Sequence, residues 1–441
     1  MTTRKLLTGV AAVAVLAAGA ATFTAAADPA QADAGEPLSW RLSDVSAAQI
    51  GDLAAEGFDV ADYRPDGSAI VIGDDAEADR LRDKGMSPEY LDTVYKSVPE
   101  ATQAADTYYG GYHTVAAHEE HLDSVAAEHA DLAKVYDIGD SWLKTQGEGG
   151  HDLKAICLTK IADSDCELSP DSAKPRFSIM AQIHSREIAT GEVAWKWIDS
   201  LVDGYGSDDE ITKLMDSTEM WVVPIANPDG VDVVASGGDE PLLHRKNVND
   251  SDGDCGADMG IDLNRNSSFE WGDSGTDPCD ETYQGASAGS EPEVQALEGW
   301  FRDIHPDQRG DGADDPAAAD AHDVMITLHS YGNYIIVPWG YTEDQSPNDE
   351  QLRALGAKMA ESNGYFVGTN GDTVGYSTSG TTDDFTYGTL GVASFTFEMG
   401  GDTGDCGGFL PVYECIDSTL WKENEGALMT AAEAAKAPYA G

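Results

Sequence analysis

A chain of 441 residues with 80 acidic and 26 basic side chains carries a formal charge of −54 at neutral pH. A surface of that sign repels nucleic acids and anionic membranes, so neither is expected as a partner. The length suffices for one large α/β domain with a smaller one attached. Because the charge is spread along the chain, a solubilising surface is favoured over steering of cationic substrates.

The N-terminus has the pattern of a bacterial secretory signal peptide. Arg4 and Lys5 precede an apolar run from Leu6 to about Ala20, and Ala-x-Ala sites follow. A positive start, an apolar stretch and small residues are typical of such signals, whereas a membrane anchor needs a longer run. We therefore predict that residues 1–32 are a signal peptide and that the protein is secreted to the extracellular space.

The next segment, residues 33–105, is predicted to be a propeptide with its linker. Between residues 37 and 98 the patterns follow the order strand, helix, strand, strand, helix, which suits a small α+β ferredoxin-like unit. The stretch from Lys96 to Tyr112 is polar and contains several Ala and Gly residues. It indicates an extended linker that is open to proteolysis.

From residue 106 to 441, predicted strands alternate with predicted helices. The strand candidates are "AKVYDIG", "LKAICLTK", "PRFSIMAQI", "MWVVPIAN", "DVMITLHS", "YIIVPWG" and "ASFTFEM", and helical stretches include "TGEVAWKWIDSLVDGY" and "SEPEVQALEGWFRDI". Near-continuous apolar strands with helices between them predict an α/β fold with a mixed, mostly parallel central sheet flanked by helices. In such folds the functional site lies at the carboxyl ends of the strands.

Six cysteines are consistent with an oxidising compartment. They form three pairs that are close in sequence: Cys157 with Cys166, Cys255 with Cys279, and Cys406 with Cys415. Six cysteines permit 15 connectivities, so this pairing rests on proximity alone. No Cys-x-x-Cys occurs, so a sulfur-bound metal site is not expected.

Polar side chains stand at the ends of three predicted strands. His184 and Glu187 follow one, His329 ends another, and Glu398 follows a third. Two His and one Glu with an open fourth position form a catalytic zinc set. Near zinc, Glu398 would act as general base. Taken singly, each has an ordinary alternative, such as a surface loop for His-x-x-Glu or a hydrogen-bonded core position for His329.

A series of motifs runs in one order along about three quarters of the chain: "HSRE", "NPDG", "HRKN", "GIDLNRN", "HSYG", "FTFE" and "GFLP". In this order they resemble the zinc metallocarboxypeptidases of the carboxypeptidase A and B type. The resemblance implies a monomeric hydrolase with one zinc ion, made as a precursor, that releases single residues from the C-termini of peptides and proteins.

The same resemblance assigns roles to the residues at the strand ends. It implies that His184, Glu187 and His329 are the zinc ligands and that Glu398 is the general base. Asp262 would orient the first zinc histidine and fix its tautomer.

The resemblance also implies roles for cationic and amide side chains. Arg245, in "HRKN", would stabilise the oxyanion that forms at the scissile carbonyl. Asn264 and Arg265, in "DLNRN", would grip the terminal carboxylate of the substrate. Arg186 matches a cationic position beside the bound peptide. In isolation these motifs are equally typical of polar turns and solvated charge runs.

A Gly/Ser/Thr-rich segment precedes the glutamate strand and contains two tyrosines. Tyr376 stands 22 residues before Glu398, which is the family's spacing for a tyrosine that folds over the substrate. Tyr387 is the local competitor for that role.

In the same segment Asp383 aligns with the residue at the bottom of the family's specificity pocket. An aspartate there resembles the B-type enzymes, which remove C-terminal Lys or Arg. Its neighbour Asp384 matches a structural acid of both types. Thr381 and Thr382 replace small residues, so mixed basic and hydrophobic specificity stays open.

The segment "NDSDGDCGAD" has the density of acids of a calcium loop, with Asp250, Asp252 and Asp254 as candidate ligands. The EF-hand spacing is not met. An acidic turn fastened by Cys255 is the alternative.

Two other functions are consistent with the sequence. One is a zinc peptidase of the same fold that acts on cell-wall peptides. The other is a non-catalytic binding protein that retains the fold, although such a protein would be expected to lack Glu398 or a zinc ligand.

Overall fold

The computed structural model describes residues 35–64, 66–98, 106–162, 164–253, 255–256, 259–310 and 312–440. The predicted signal peptide and residues 99–105 of the predicted linker lie outside this set. Within the described residues, no helix is both long enough and apolar enough to cross a bilayer.

Strands and helices alternate along most of the described chain. The strands are β1 (Leu38–Leu42), β2 (Asp59–Tyr63), β3 (Ala69–Gly73), β4 (Glu89–Thr93), β5 (Thr107–Tyr108), β6 (Tyr112–His113), β7 (Ala133–Asp140), β8 (Asp152–Leu158), β9 (Arg176–Ala181), β10 (Glu219–Val223), β11 (Val324–His329), β12 (Tyr334–Ile336), β13 (Phe366–Gly368) and β14 (Ala393–Glu398). The helices are α1 (Ala47–Ala55), α2 (Asp75–Asp83), α3 (Val115–Glu128), α4 (Trp142–Gln146), α5 (Ile188–Gly204), α6 (Asp209–Ser217), α7 (Pro228–Ala235), α8 (Pro292–Ile304), α9 (Asp349–Asn363), α10 (Asn370–Thr373), α11 (Thr382–Leu390) and α12 (Trp421–Ala434).

Residues 36–98, here called the N-terminal unit, form a small α+β sandwich. Its antiparallel sheet has the order β2-β3-β1-β4. A capping box between Ser46 and Gln49 begins α1, and the Asp74 carboxylate accepts bonds from the first turn of α2. This is the ferredoxin-like arrangement that the sequence predicts, with β4 as an additional strand.

Residues 106–440, here called the main domain, are built on an eight-stranded sheet. Its order is β13-β12-β14-β11-β9-β10-β8-β7, with parallel pairing among β14, β11, β9 and β10 and antiparallel pairing toward β7. All seven predicted strands are present, so the prediction of a mixed α/β sheet is confirmed. Within this sheet only the short β13 was not anticipated, and outside it the two-stranded sheet of β5 and β6 was not anticipated either.

The sheet is covered on both faces, which explains why its central strands are apolar throughout. Every residue of β9 is buried. Ile179 belongs to an apolar cluster with Trp197 of α5, whereas the next residue, Met180, belongs to a second cluster with Trp300 of α8. Successive side chains of a strand point to opposite faces, so both faces need apolar residues.

The cysteines pair as sequence proximity predicted. The disulfides join Cys157 to Cys166, Cys255 to Cys279, and Cys406 to Cys415. The last of these closes the loop that follows β14, at the edge of the sheet where the candidate site lies.

Candidate functional site

The central parallel strands end at one edge of the sheet and deliver polar side chains there. β9 leads to His184 after a short turn, and Glu187 directly precedes α5. On the neighbouring strands β11 and β14, His329 and Glu398 are opposite each other in the register. Both line one open cavity with His184 and Glu187. The parallel pairing therefore brings together residues that are far apart in sequence.

His184, Glu187 and His329 converge on a common point. His184 Nδ1 lies 2.8 Å from Glu187 Oε1, and His329 Nδ1 lies 3.1 Å from Glu187 Oε2. The two Nδ1 atoms are 3.1 Å apart. All three residues are buried, with 1–4% of their surface exposed. Burial opposes ionisation of Glu187, but the two imidazoles hold its pKa below the usual range.

This donor set fits a zinc ion. The candidate ligand atoms of the three residues all lie within 4.8 Å of one another. Imidazole nitrogen and carboxylate oxygen are the ligands of catalytic zinc sites, which keep a fourth position open. Burial and the nearby Arg245 lower the pKa of His184, so its imidazole is neutral, as a metal ligand must be.

The remaining ring nitrogens have partners that fix the two histidines. His184 Nε2 lies 3.1 Å from Asp262 Oδ1. His329 Nε2 lies 3.0 Å from Thr327 Oγ1, on the same strand. Asp262 thus occupies the orienting position that the resemblance implies, whereas Thr327 was not predicted. The period of a strand could have indicated it, because residues two apart share a face.

Glu398 lies beside the metal donor set. Burial raises its pKa to about 8, while the neighbouring His329 opposes part of that rise. A carboxylate with so high a pKa readily holds a proton, which is a property required of a group that accepts and returns one. Its place at the end of β14 is the one the sequence predicts.

Arg245 forms an ion pair with Asp262 at the edge of the cavity. Its Nη2 and Nε lie 2.9 and 3.1 Å from Asp262 Oδ2, and its Nη1 lies 3.9 Å from Glu187 Oε1. Asp262 therefore holds both His184 and Arg245. The guanidinium lines the cavity and keeps donors for a further acceptor.

Asn264 and Arg265 lie in a short 3₁₀ turn that begins at Asp262. The Asp262 carboxylate accepts a bond from Asn264 N at 2.9 Å. Asn264 Oδ1 accepts from Thr382 N at 3.0 Å, and Arg265 Nη1 donates to Asn264 O at 2.8 Å. Arg265 is 6% exposed, and among the described residues no carboxylate forms an ion pair with it. A buried cation that lines a cavity and forms no ion pair with any described residue indicates a site for an anionic group.

Asp383 lies at the start of α11 and faces the same cavity. It is 4% exposed, and within the described part of the chain no Lys or Arg pairs with it. The wall of the cavity that Asp383 lines also combines polar and apolar side chains, among them Asn370, Thr378, Thr396, Ile336 and Val374. Its neighbour Asp384 points away and accepts bonds from Gly340 N and Tyr341 N at 2.9 and 3.0 Å. Burial and Asp383 raise the pKa of Asp384.

The two candidate tyrosines differ in environment. Tyr376 lines the cavity and packs against the apolar core of the N-terminal unit. Its neighbour Gly375, at φ +75°, has no room for a side chain, because a Cβ there would lie 1.8 Å from the Tyr63 ring. Tyr387 is fully buried, and its hydroxyl donates to Asn348 Oδ1 at 2.8 Å.

The N-terminal unit covers the cavity, and sequence reasoning did not identify its contacts. Asp59 forms two bonds of 2.7 Å with the terminal nitrogens of Arg186. Val60 and Ala61, on the same strand, line the cavity. Arg186 also lies 3.4 Å from Glu281 and 4.3 Å from the Phe409 ring centroid. Arg186 is therefore beside the cleft, as the resemblance implies, but occupied by the N-terminal unit.

The acidic segment after Asn249 gives no support for calcium. Asp252 Oδ2 accepts a bond from the Tyr283 hydroxyl at 2.9 Å, and Asp254 lies outside the described residues. Among the residues that the structure describes, the only group of acids and histidines close enough for a metal is the one at His184.

Comparisons with known proteins agree with this geometry. A family model described as zinc carboxypeptidase matches residues 118–426. Carboxypeptidase A5 of Macaca fascicularis is 29% identical over 317 residues. The matched segment covers 70% of this chain and 64% of that protein, which is less than two thirds of its length. Carboxypeptidase A1 of Bos taurus is 28% identical over 341 residues, 76% of this chain and 73% of that one. The crystal structure of carboxypeptidase A from Helicoverpa armigera aligns with a TM-score of 0.70 and 22% identity, covering 91% of this chain and 98% of that one.

Proposed function

The chain belongs to the zinc carboxypeptidase family, a family of peptide hydrolases, and we propose that it removes single residues from the C-termini of peptides and proteins. One observation carries the proposal. A single cavity holds the metal donor set, the buried carboxylate of Glu398 and the buried guanidinium of Arg265, which has no ion-pair partner among the described residues.

Arg265 forms no ion pair among the described residues, which supports an enzyme that acts on chain ends. A free C-terminal carboxylate supplies the charge that the guanidinium lacks, and Arg binds carboxylates through two parallel hydrogen bonds. Asn264 and Tyr376 line the same cavity and would add donors. An internal peptide bond offers no such anion and would leave the buried cation unsatisfied.

Glu398 and Arg245 would perform the proton transfer and the charge stabilisation. A zinc ion at His184, Glu187 and His329 would polarise the scissile carbonyl and make a water more acidic. Glu398 accepts a proton from the attacking water and returns it to the departing amine. The guanidinium of Arg245 donates to the carbonyl oxygen as its negative charge develops.

Asp383 supports a preference for Lys or Arg at the C-terminus. A buried carboxylate without a cationic partner is costly, and a basic side chain that enters the pocket would supply that partner. The apolar wall at Ile336 and Val374 would contact the aliphatic stem of the same side chain, or a hydrophobic residue if specificity is mixed.

The N-terminal unit would act as a propeptide that keeps the precursor inactive until the linker is cut. It covers the cavity with Val60 and Ala61 and holds Arg186 through Asp59. The three disulfides and the predicted signal peptide favour export before activation.

The test compares kcat/KM for blocked dipeptides that end in Arg or in Phe. The full chain is folded, loaded with zinc and processed by limited proteolysis. Wild type, Asp383→Ala and Asp344→Asn are measured, because Asp344 is an exposed acid that controls for the loss of one charge. We expect a preference for Arg that collapses only in Asp383→Ala.

The other outcomes separate the alternatives. Equal rates for Arg and Phe would leave the carboxypeptidase activity in place and remove Asp383 as the specificity residue. Turnover of neither substrate would contradict the proposed function and favour cell-wall peptides. A rate unchanged in Glu398→Gln would exclude Glu398 as the base, since general-base catalysis contributes about 10²- to 10⁴-fold.

A further inference from the structure

A stretch of the N-terminal unit lies over the cleft in an extended conformation, and its residues Val60 and Ala61 line the cavity. Residues 59–63 form β2, and Arg64 follows directly. The stretch contacts the main domain through charged side chains at both ends. Asp59 binds Arg186 at one end, and Arg64 Nη2 lies 3.2 Å from Asp402 Oδ2 at the other.

In the described part of the chain, both cations that pair with Asp402 belong to the N-terminal unit. Besides Arg64, Arg41 Nη2 lies 3.0 Å from the same Asp402 oxygen. Among the described residues of the main domain, no Lys or Arg forms an ion pair with Asp402. The side chain of Asp402 is 16% exposed with the N-terminal unit in place. When that unit leaves, Asp402 loses both partners and becomes more exposed.

Asp402 lies next to the catalytic cavity along the same loop. Phe409 lines the cavity with the metal ligands, and it also lines a smaller cavity that contains Asp402 and Tyr331. The Cys406–Cys415 disulfide closes this part of the loop. Asp402 precedes that closed loop, and its position is held by backbone bonds of its neighbours, because Gly400 O accepts from Gly332 N and Gly401 O accepts from Gly408 N, each at 2.9 Å.

The distance fits an extended peptide. Asp59 and Arg64 are five residues apart, which corresponds to about 17 Å of extended chain. Ala61 lines the cavity and Arg64, three residues further along β2, pairs with Asp402. Three extended residues span about 10 Å, so we infer that a substrate whose end occupies the cavity would meet Asp402 with a residue upstream of the scissile bond, which a blocked dipeptide lacks.

We propose that, in the processed enzyme, Asp402 binds a Lys or Arg side chain of the substrate several residues upstream of the scissile bond. The inference rests on the proposed function, because it assumes a peptide that enters the cavity by its C-terminus. It adds a second determinant of selectivity, so that peptides with an upstream basic residue are preferred over others with the same end.

The experiment uses blocked heptapeptides that end in Arg, with Lys placed in turn at each of four upstream positions and Ala elsewhere. The ratio of kcat/KM for the Lys peptide to that for the all-Ala peptide is measured for processed wild type, Asp402→Asn and Asp405→Asn. Asp405 is an exposed acid of the same loop, so its variant removes the same charge outside the proposed subsite. The comparison separates a local contact from general attraction by the strongly negative protein.

We expect the ratio to reach about fivefold at one or two positions in wild type and Asp405→Asn, the size of a partly exposed ion pair. It should fall to about one in Asp402→Asn, and in wild type at 1 M salt. A ratio near one at all positions in wild type, or an unchanged ratio in Asp402→Asn, would overturn the proposal. If Asp402→Asn does not yield folded enzyme, upstream Glu is compared with upstream Lys in wild type, where equal rates would overturn it.

A binding measurement keeps this test separate from that of the proposed function. Fluorescence anisotropy of the labelled heptapeptides with Glu398→Gln protein reports binding without turnover. If the blocked dipeptide ending in Arg is not hydrolysed by wild type, the proposed function fails. Tighter binding of the Lys peptide that depends on Asp402 would still support the subsite, and equal binding would reject it.

Discussion

Both terminal nitrogens of Arg186 lie 2.7 Å from the carboxylate oxygens of Asp59. The Arg186 side chain is almost fully buried by this contact, with 3% exposed. We predict that Asp59→Asn weakens docking of the N-terminal unit by roughly 2 kcal/mol, because one partner of a desolvated charge pair is lost. The full, uncut chain should then hydrolyse a blocked dipeptide measurably faster than wild type.

The control for that prediction is Asp83→Asn, which changes an exposed acid of the same unit. It should leave the activity of the uncut chain at the wild-type level. Equal activity in Asp59→Asn and wild type would mean that the Arg186 contact does not hold the N-terminal unit in place.

A second prediction concerns pH and Asp62, which is 2% exposed and lies on β2 of the N-terminal unit, in contact with Tyr334 of the main domain. Burial raises the pKa of Asp62 to about 6 from 3.8, although Arg64 opposes the rise. Tyr334 donates a bond to it at 3.2 Å, and Asp402 adds a like charge. Since docking favours the protonated form, docking is strongest below about pH 4 and weakens as the pH rises through about 6.

Asp62→Asn stays neutral at every pH, so its docking should change less between pH 4.5 and 7.5 than that of wild type; burial also raises the pKa of Glu281, beside Arg186, to about 7. At pH 7.5 it should dock more tightly than wild type by at most about 3 kcal/mol, since one pKa unit corresponds to about 1.4 kcal/mol. Size-exclusion chromatography of the cut protein separates the dissociated N-terminal unit. It therefore measures the docking strength of wild type and of Asp62→Asn at the two pH values. Wild-type docking of equal strength at the two pH values would contradict the prediction.

A third prediction concerns metal affinity and Asp262. Asp262→Asn replaces the acceptor at His184 Nε2 and leaves Arg245 without its ion pair. Loss of such an orienting carboxylate costs about 10- to 100-fold in zinc affinity, which chelator competition measures without any assay of activity. Asp229→Asn removes a buried acid bound to Ser141 and Leu143, and it should not change zinc affinity. A shift of the same size in both variants would indicate general destabilisation.

The fourth prediction compares two disulfides of equal loop length. Cys157–Cys166 and Cys406–Cys415 each close a separation of nine residues. Replacing either pair with Ala should cost about 2–3 kcal/mol of unfolding free energy, because the two loops restrict the unfolded chain alike. Only loss of Cys406–Cys415 should also weaken docking of the N-terminal unit and raise KM, since Phe409 lies in that loop. Equal effects on KM would contradict this reading.

The sequence predicted the parts of the site that short segments define. His184 and Glu187 lie three residues apart at the end of an apolar strand, and both His329 and Glu398 end strands of their own. Such positions can be predicted from sequence, because the period of a buried strand and its abrupt end depend on neighbouring residues only. The motif order then implied roles for Asp262 and Arg245, which stay predictions.

The remaining features required tertiary structure. Contact between Asp59 and Arg186 depends on how two units dock, and neither residue has an unusual neighbourhood in sequence. The strands β4 and β13 lack a clear pattern, since β4 has no fully buried residue and β13 has only three residues, of which Phe366 is 49% exposed. Pairing with neighbours, rather than local preference, makes them strands.

The register between β11 and β14 has a consequence for how the protein can change over evolution. His329 and Glu398 face each other across one step of the sheet, so strand spacing of about 4.8 Å fixes their separation. Insertions in the loops around the cleft leave that separation intact and can alter selectivity freely. A single-residue deletion within either strand would turn one of the two side chains to the opposite face. Variation in the loops therefore leaves the spacing of His329 and Glu398 unchanged, and new substrate preferences can arise at the rim of the cleft.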